Sequence, residues 1–392
     1  MVCEKKSLLS YLQCSECGKQ YAADQLQTYS TCETHPPRPL VTHYKLVDRP
    51  SKDDIDQHDH SMWRYFSMLP VFDPKNIVTL GEGFTPIFSL DVLGKKNEIP
   101  NLFMKDESDN PTGSFKARGM SAAISKAKEL GVTNCIVPTA GNAGSALAAY
   151  CAKAGMQATV VMPTHTPEVF KKDCQLYGAE VIFVEGLISD CAKRVAEINR
   201  EGAYFDLSTM KEPYRLEGKK TMGYEIAEQF NWTLPDVILY PTGGGTGLIG
   251  IWKAFREMQD MGWIDGPLPK MIAVQTEACQ PVVKTWRKEQ ANCKNYIGQP
   301  TLANGLAVPN PFGEDLMMRV LKESKGTAVA VSDAKILDAV YEIGKKEGRL
   351  ISPEGAALWA ALPKLIDEEF IDKDEKILLL NTGTGYKYLD NF

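Results

Sequence analysis

A single lysine follows a run of small and polar residues in DNPTGSFKARGM, which covers residues 109–120. Lys116 lies where this polar loop, with Pro111 and Gly113, gives way to a stretch that can form a helix. A lysine amine that has lost its proton can form a Schiff base with a carbonyl compound. The simpler interpretation is a solvated lysine in a first helical turn. The other polar motifs of the chain are needed to choose between these two interpretations.

Two glycine-containing turns lie between a short apolar run and a helical stretch. PTAGNAGS (138–145) leads into an alanine-rich stretch, and PTGGGTGL (241–248) follows the apolar run DVILY. The N–H groups at the start of a helix bind anions, and glycines let the backbone surround a phosphate closely. The second turn has neither the Lys-Ser/Thr ending of a P-loop nor G-x-G-x-x-G spacing, so it predicts a site for a phosphate monoester.

A third polar segment, LNTGTGYK (380–387), follows another apolar run. The hydroxyl of Thr382 at a strand end can hydrogen-bond a ring nitrogen without forcing that nitrogen to stay protonated. A reactive lysine, a phosphate-binding glycine loop, the amide of Asn142 and this hydroxyl together indicate pyridoxal 5'-phosphate (PLP) as the cofactor.

The first 50 residues contain a separate group of potential metal ligands. Cys14 and Cys17 are followed by Cys32 and His35, a C-x2-C…C-x2-H spacing that suits tetrahedral zinc. Three thiolates and one imidazole would complete the coordination, so the spacing favours a structural zinc over a catalytic one. The alternative is a degenerate knuckle without metal, in which His35 is a loop histidine.

Composition and charge argue against several classes of protein. The chain has 392 residues, 44% of them hydrophobic and 24% charged, with a formal net charge of −6. No basic tract is present, which argues against a nucleic-acid partner. No apolar run approaches the roughly 20 residues that cross a bilayer, and the first residues lack a signal-peptide core. We therefore expect a cytoplasmic protein that acts on a small molecule.

Short apolar runs alternate with amphipathic stretches from about residue 76 onward. Buried strands are predicted at 134–138, 158–162, 181–184, 237–239, 271–274 and 377–380. Helices are predicted at 121–130, 145–154, 188–199, 220–230, 249–258, 334–345 and 356–366. This order predicts a doubly wound α/β protein with mostly parallel sheets, in which ligands bind at the carboxyl ends of strands.

Six motifs, in this order, resemble those of PLP-dependent enzymes of fold type II (the tryptophan-synthase-β type), and most closely the threonine synthase family. They are GEGFTP (81–86), NPTGSFKARGM (110–120), TAGNAG (139–144), PYRLEGKKT (213–221), PTGGGTG (241–247) and NTGTGYK (381–387). The resemblance implies two α/β domains, a large PLP-binding one at 51–118 and 226–392 and a smaller substrate-side one at 119–225. The zinc-ribbon-like segment at 1–50 resembles an extension of some family members.

The resemblance also implies roles for individual residues. Lys116 is expected to form the Schiff base and to act as acid and base, Asn142 to bond the phenolic oxygen of PLP, and Thr382 to face its pyridine nitrogen. Arg215 is expected to bind a phosphate of the substrate, and Thr139 is also assigned to substrate binding. The residues expected around the cofactor phosphate are Gly243, Gly244, Gly245, Thr246 and Gly247. A homodimer is implied as well.

The departures from the family pattern concern the substrate. Residues 209–212 read TMKE where threonine synthases often have an Asn-Ser pair, and Glu212 would repel a dianionic substrate if it pointed inward. The loop GGGTG is closer to that of amino-acid dehydratases. The resemblance thus favours a lyase that converts O-phospho-L-homoserine and water to L-threonine and phosphate. A threonine or serine dehydratase, another β-replacement enzyme and a non-catalytic binding paralogue remain as alternatives.

Overall fold

The computed structural model describes residues 6–46 and 50–392. Parts of the segment predicted at 1–50, residues 1–5 and 47–49, lie outside the described residues. The chain divides into two compact units. The first consists of Met1–Phe84, Asn110–Thr112 and Lys116–Thr221, and the second of Thr85–Asp109, Gly113–Phe115 and Met222–Phe392. The domain boundaries predicted from the sequence stay a prediction.

The elements are numbered here in chain order. The strands are β1 (Leu9–Cys14), β2 (Gln20–Ala22), β3 (Leu40–Tyr44), β4 (Ile87–Ser89), β5 (Leu102–Asp106), β6 (Asn134–Pro138), β7 (Gln157–Pro163), β8 (Glu180–Val184), β9 (Phe205–Asp206), β10 (Val237–Pro241), β11 (Lys270–Thr276), β12 (Thr327–Val331) and β13 (Ile377–Asn381). The α-helices are α1 (Asp91–Asn97), α2 (Lys116–Glu129), α3 (Asn142–Ala154), α4 (Glu168–Leu176), α5 (Ile188–Ile198), α6 (Tyr214–Gln229), α7 (Thr246–Met261), α8 (Pro281–Trp286), α9 (Glu314–Glu323), α10 (Asp333–Glu347) and α11 (Pro353–Asp367).

The first unit contains two sheets. Residues 6–46, which we call the N-terminal ribbon, form an antiparallel sheet in the order β2-β1-β3. The other sheet is parallel, in the order β8-β7-β6-β9. Alanine and other small side chains of α2 and α3 pack on one side of it, and Cys191 and Val195 of α5 pack against Ile136 and Val161 in a separate cluster. Because both faces are covered, its strands are nearly continuous apolar runs.

The second unit is built on one larger sheet, in the order β12-β11-β10-β13-β5-β4. Its strands run parallel except β4, which pairs antiparallel with β5. Strands β10 and β13 are buried along their whole lengths, as expected for the middle of a parallel sheet. The carboxyl ends of these two neighbouring strands lead into PTGGGTG and NTGTGYK, so the two motifs occur at one edge of this sheet.

The mixed α/β class with parallel sheets is confirmed, but five helices begin three to six residues earlier than the periodicity predicts. They are α2, α3, α6, α7 and α11, which start at residues 116, 142, 214, 246 and 353. Their first turns contain glycine, threonine and charged residues, which carry no apolar periodicity, so the pattern became visible only later. Within the described residues, no helix is long and apolar enough to cross a membrane.

Candidate active site

Lys116 is the first residue of α2, and the three residues before it belong to a short backbone ladder. The N–H of Phe115 donates to the carbonyl oxygen of Thr382 at 3.1 Å, and the N–H of Thr384 donates to the carbonyl oxygen of Gly113 at 2.9 Å. Thr382 is therefore hydrogen-bonded to the residue directly before the lysine. Backbone hydrogen bonds thus join two motifs that are separated by more than 260 residues.

Helices α2 and α6 approach each other closely because glycines lie at their contact. A Cβ atom on Gly218 would lie 2.0 Å from the carbonyl oxygen of Arg118, and one on Gly119 would lie 3.0 Å from the carbonyl oxygen of Arg215. The Nη1 of Arg118 also donates to the Oγ1 of Thr221 at 3.0 Å. The motifs KARGM and PYRLEGKKT are thus in direct contact. Glycines, backbone carbonyl groups and one side-chain hydrogen bond make this contact and pack the two helices together.

Arg215, the second residue of α6, is only 1% exposed. Its Nη1 donates to the carbonyl oxygen of Leu207. Its Nε has no hydrogen-bond partner among the described residues, and Oε1 of Glu212 lies 4.0 Å from it. Burial lowers the pKa of the guanidinium, whereas Glu212 and Asp206 raise it. A buried guanidinium with an unsatisfied N–H is suited to an anionic ligand.

Glu212 caps the helix that carries this arginine. Its Oε2 accepts the N–H groups of Tyr214 at 2.7 Å and of Arg215 at 3.0 Å. Burial raises the pKa of the carboxyl to about 7, although Arg215, those two hydrogen bonds and Lys219 act in the opposite direction. A carboxyl group with this pKa is partly protonated near pH 7. Its smaller negative charge weakens the repulsion between Glu212 and a dianionic substrate, which the sequence predicts for an inward-pointing side chain. The sequence patterns did not predict this helix cap. The signal that could have indicated it is an acidic residue directly before Pro213, at the start of a helical stretch.

The turn after β6 leaves one buried polar atom unsatisfied. The Oγ1 of Thr139 accepts the N–H of Gly141 at 3.1 Å, and α3 begins at Asn142 without a side-chain cap. The Oδ1 of Asn142 is buried and has no hydrogen-bond partner among the described residues. Such atoms are rare in folded proteins unless a ligand or water completes them. The turn therefore fits a ligand that hydrogen-bonds the Asn142 amide.

The glycine loop between β10 and α7 is closely surrounded by protein atoms. A Cβ atom on Gly243 would lie 2.3 Å from a neighbouring carbonyl oxygen, and one on Gly247 would lie 1.8 Å from the hydroxyl oxygen of Tyr240. Gly245 has a φ of +79° and precedes α7 without a side-chain cap, and the first turn contains no acidic residue. The N–H groups at the start of this 16-residue helix are therefore suited to a phosphate group.

The cysteine motif forms a compact cluster in the N-terminal ribbon. The Sγ of Cys14 lies 3.5 Å from Nε2 of His35, and the Sγ of Cys17 lies 3.9 Å from the Sγ of Cys32. The ligand atoms of Cys14, Cys17 and His35 all lie within 4.8 Å of one another. Zn–S bonds of about 2.3 Å and Zn–N bonds of about 2.0 Å in a tetrahedron place ligand atoms roughly 3.5–3.8 Å apart. The two measured separations are close to that range.

Local hydrogen bonds fix the backbone and the histidine ring of this cluster. The N–H of Gly18 donates to the carbonyl oxygen of Cys14 at 3.2 Å, and the φ of Gly18, +76°, favours glycine in this tight turn. The Nδ1 of His35 lies 2.7 Å from the carbonyl oxygen of Pro36, a contact in which it donates and leaves the Nε2 lone pair for a ligand. Burial acts to raise the pKa of the Cys14 thiol, but hydrogen bonds, the largest with Ser30, lower it to about 7.

The predicted site residues are distributed over the two units. The first unit holds Lys116, Thr139, Asn142 and Arg215, with the cysteine cluster, and the second holds the glycine loop and Thr382. In the first unit, α2 and α3 belong to one apolar core, and α6 packs on α2.

Comparison with known proteins gives matches over most of the chain. The family model "Pyridoxal-phosphate dependent enzyme" matches residues 78–383. The threonine synthase of Methanocaldococcus jannaschii is 36% identical over 376 residues, which cover 95% of this chain and 92% of that protein. The threonine synthase of Methanosarcina acetivorans is 34% identical over 375 residues, 95% of this chain and 91% of that protein.

Solved structures share the fold at lower sequence identity. A processed form of threonine deaminase isoform 2 from Solanum lycopersicum has a TM-score of 0.65 and 17% identity, with coverage of 93% of this chain and 95% of that one. Maize serine racemase has a TM-score of 0.64 and 22% identity, with coverage of 79% and 93%. At these identities the similarity establishes the architecture alone.

Proposed function

The chain belongs to the pyridoxal-phosphate-dependent enzymes of fold type II and is a threonine synthase-like lyase, and on this basis we propose that it converts O-phospho-L-homoserine and water to L-threonine and phosphate. The observation that carries the proposal is the identity of 36% and 34% to two threonine synthases over 95% of this chain. The buried, incompletely bonded Arg215 supports it, because this substrate carries a phosphate. The chain would then serve threonine biosynthesis.

The chain's own residues fit the cofactor. We propose that Lys116 attaches PLP through Nζ, that Asn142 bonds its phenolic oxygen and that Thr382 faces its ring nitrogen. The glycine loop would bind its phosphate through the first N–H groups of α7 and through Gly243, Gly244, Gly245, Thr246 and Gly247. The unsatisfied Oδ1 of Asn142 and the uncapped start of α7 support this assignment. Bound PLP supplies a ring that withdraws electrons from the α-carbon of the substrate.

Lys116 would also transfer protons in the reaction. When its Nζ is neutral and not bonded to the cofactor, Lys116 could remove the proton from the α-carbon of the substrate and return protons at later steps. Its position at the first residue of a helix, held by the Phe115–Thr382 hydrogen bond, limits how far the amine can move. Such positioning is a large part of catalysis by general acids and bases.

Arg215 would bind the phosphate that leaves the γ-carbon. A guanidinium can form two parallel hydrogen bonds with phosphate oxygens, and burial strengthens the interaction because water is excluded. The Oγ1 of Thr139, which accepts a backbone N–H, would contribute a polar contact to the same substrate. A proton would also leave the β-carbon before phosphate is expelled from the γ-carbon. Water would then add its hydroxyl at the β-carbon, and protons would return to the α- and γ-carbons, which gives threonine and phosphate.

A side-by-side turnover assay tests the proposed function. The PLP-loaded protein is given O-phospho-L-homoserine, L-threonine or L-serine in separate samples, and phosphate, threonine, keto acid and ammonia are measured. We expect equal amounts of phosphate and threonine from the first substrate. Arg215→Ala should raise KM for it by about 100-fold or more, as expected for loss of a buried charged contact. Arg256→Ala, on the exposed side of α7, is the matched control.

The alternative is a threonine or serine dehydratase, which the GGGTG sequence of the glycine loop favours. It requires the same cofactor residues but no phosphate clamp. Release of keto acid and ammonia from threonine or serine, with O-phospho-L-homoserine inert, would contradict the synthase and establish the dehydratase.

We further propose that Cys14, Cys17, Cys32 and His35 hold a structural zinc ion in the N-terminal ribbon. The separations of 3.5 Å and 3.9 Å support this, since they approach those of tetrahedral zinc ligands. Metal analysis of the purified chain should give about one zinc per chain, and Cys14→Ser should reduce it. His43→Ala, in the same ribbon, should not. A wild-type chain that takes up no zinc would contradict the proposal.

Three further proposals rest on the composition and the family resemblance. They are a homodimer, a cytoplasmic location and a small molecule rather than nucleic acid as the partner. Light scattering of the purified protein measures the first, and a mass of about 43 kDa in solution, that of one chain, would contradict it.

A further inference from the structure

The N-terminal ribbon contacts the helix that carries Arg215 through a buried polar cluster. The hydroxyl of Tyr44, the last residue of β3, donates to Oε2 of Glu217 at 2.7 Å. The same carboxylate oxygen lies 2.6 Å from Nζ of Lys220, and that Nζ lies 3.8 Å from the centroid of the Tyr44 ring. Glu217 and Lys220 are fully buried, and their charges are compensated by each other and by Tyr44 of the ribbon.

A second contact joins the ribbon to the first turn of the same helix. The hydroxyl of Tyr214 donates to the carbonyl oxygen of Gln25 at 3.4 Å, and the ring of Tyr214 is buried. Tyr214 directly precedes Arg215. Gln25 lies in the segment between Cys17 and Cys32, so the cysteine cluster closes the loop that provides this carbonyl.

Different groups of α6 therefore contact different neighbours. The hydroxyl of Tyr214 and the carboxylate of Glu217 hydrogen-bond with the ribbon, whereas Arg215 and Gly218 approach α2 through their backbones. The helix is thus held between the ribbon and the helix that begins with Lys116. A small shift on the ribbon side would move the guanidinium, because the helix moves as one element.

We propose that the N-terminal ribbon is a positioning element for the phosphate-binding helix, with Tyr44 and Tyr214 as the positioning residues; this rests on the proposed role of Arg215. The ribbon sets the affinity for the phosphorylated substrate and leaves the attachment of the cofactor to Lys116 unaffected. Among the described residues of the ribbon, Leu12, Cys14 and Leu40 form a small apolar cluster against which the half-buried Tyr21 packs. A sheet with so small a core needs further contacts for stability, and the contacts with α6 are among them.

Tyr44→Phe is the sharpest test, because it keeps the ring over Lys220 and removes only the hydroxyl. The KM for O-phospho-L-homoserine should rise up to about tenfold, the effect of losing a hydrogen bond to a charged group. The kcat value and the visible absorbance of the bound cofactor should stay as in the wild type. Tyr11→Phe is the matched control, since Tyr11 stacks on His43 within the ribbon at 4.8 Å.

Hydrogen–deuterium exchange of residues 214–221 gives a readout that does not depend on the substrate. Exchange should be faster in Tyr44→Phe holoenzyme than in the wild type and in Tyr11→Phe. If Tyr44→Phe does not fold, Tyr214→Phe tests the second contact by the same two measurements. Unchanged KM and unchanged exchange in a folded variant would overturn the inference, as would a fall in kcat with KM unaltered.

The same measurements separate this inference from the proposed function. Wild-type protein that is inert toward O-phospho-L-homoserine would overturn the proposed function. Exchange at residues 214–221 then still decides whether the ribbon holds α6: faster exchange in Tyr44→Phe supports the coupling, and unchanged exchange overturns it.

Discussion

Lys116 and Arg215 are basic residues in the first turns of helices, where the helix dipole does not stabilise positive charge. A bound anion at the same ends would be stabilised by the dipole and by free N–H groups. The unsatisfied Nε of Arg215 and Oδ1 of Asn142 likewise leave hydrogen-bonding capacity inside the protein. These features lower the stability of the folded chain locally. They indicate residues that are arranged for ligands rather than for stability alone.

Lys116→Ala should remove both turnover and the visible absorbance of the lysine-bound cofactor, because no amine is left at the start of α2. Absorbance spectra of the purified variant with added PLP, and the assay with O-phospho-L-homoserine, check this. Lys128→Ala removes an exposed lysine from the same helix and should leave both unchanged. A Lys116→Ala protein that kept its band and turnover would show that another lysine binds the cofactor.

Glu212 should make the free energy of unfolding depend on pH. The pKa of its carboxyl is raised from 4.5 to about 7 in the folded chain, so the folded state holds the proton more tightly than the unfolded state. The contribution is therefore full below about pH 4.5 and is lost as the pH rises to about 7. Arg215 and Lys219, which face the carboxyl, favour its charged form and limit the effect.

Glu212→Gln keeps an acceptor for the N–H groups of Tyr214 and Arg215 but cannot ionise. The unfolding free energy of the variant minus that of the wild type should become more positive between pH 5 and pH 8, by up to about 3 kcal/mol. Urea unfolding at several pH values measures it, and Glu201→Gln is an exposed control. A difference that does not change with pH would show that Glu212 is already ionised at pH 5.

At the scale of elements, the contact between α2 and α6 determines how the lysine and the arginine are placed within the first unit. It depends on Gly218, where a Cβ atom would lie 2.0 Å from a backbone oxygen, a contact that flexible side chains cannot relieve. The helices would have to separate to accept any larger residue. Glycine is thus required at position 218 because the backbones of α2 and α6 approach each other closely there, even though alanine has the higher helix propensity.

Gly218→Ala should lower the free energy of unfolding by about 1–3 kcal/mol and raise KM for the phosphorylated substrate. Gly266→Ala is the matched control, because no atom lies within 4 Å of its added Cβ and its φ is ordinary. Thermal unfolding and steady-state kinetics measure the two effects. Equal stability of the two variants would mean that α2 and α6 are less tightly packed than described.

The six strands predicted from the sequence are all present, because apolar runs such as 134–138 and 377–380 are buried in a sheet. Strands β4, β5, β9 and β12 of the two larger sheets were not predicted. The resemblance to PLP-dependent enzymes and to threonine synthases is confirmed. Helix starts were not predictable, since first turns such as that of α6 combine a cap, Glu212, with charged residues and glycine. The link between Tyr44 and Glu217 joins positions 173 residues apart, which no local pattern can reveal.

At the scale of the whole molecule, cofactor binding should add to the free energy of unfolding by an amount that rises with the logarithm of the affinity. A ligand that binds only the folded state at 100 times its Kd contributes about 2.7 kcal/mol. Asn142→Leu should keep or raise the melting temperature without PLP, because it removes an unsatisfied polar atom at similar volume. The rise in melting temperature on adding PLP should be smaller than in the wild type.

Differential scanning calorimetry with and without PLP measures both values for Asn142→Leu. Asn101→Leu, on the surface loop before β5, serves as the control and should respond to PLP as the wild type does. A full PLP-dependent rise in the Asn142→Leu protein would exclude that side chain from the cofactor site.

The ladder that joins Gly113 and Phe115 to Thr382 and Thr384 has a consequence for synthesis on the ribosome. A hydrogen bond that spans 267 positions forms only after almost all of this sequence has been translated, and such distant contacts form slowly. The segment before the lysine therefore lacks these two restraints until residues 382–384 have been made. If Lys116 attaches the cofactor as proposed, a nascent chain would contain the amine long before the geometry of that amine is fixed, and capture of the aldehyde would wait for residues 382–384.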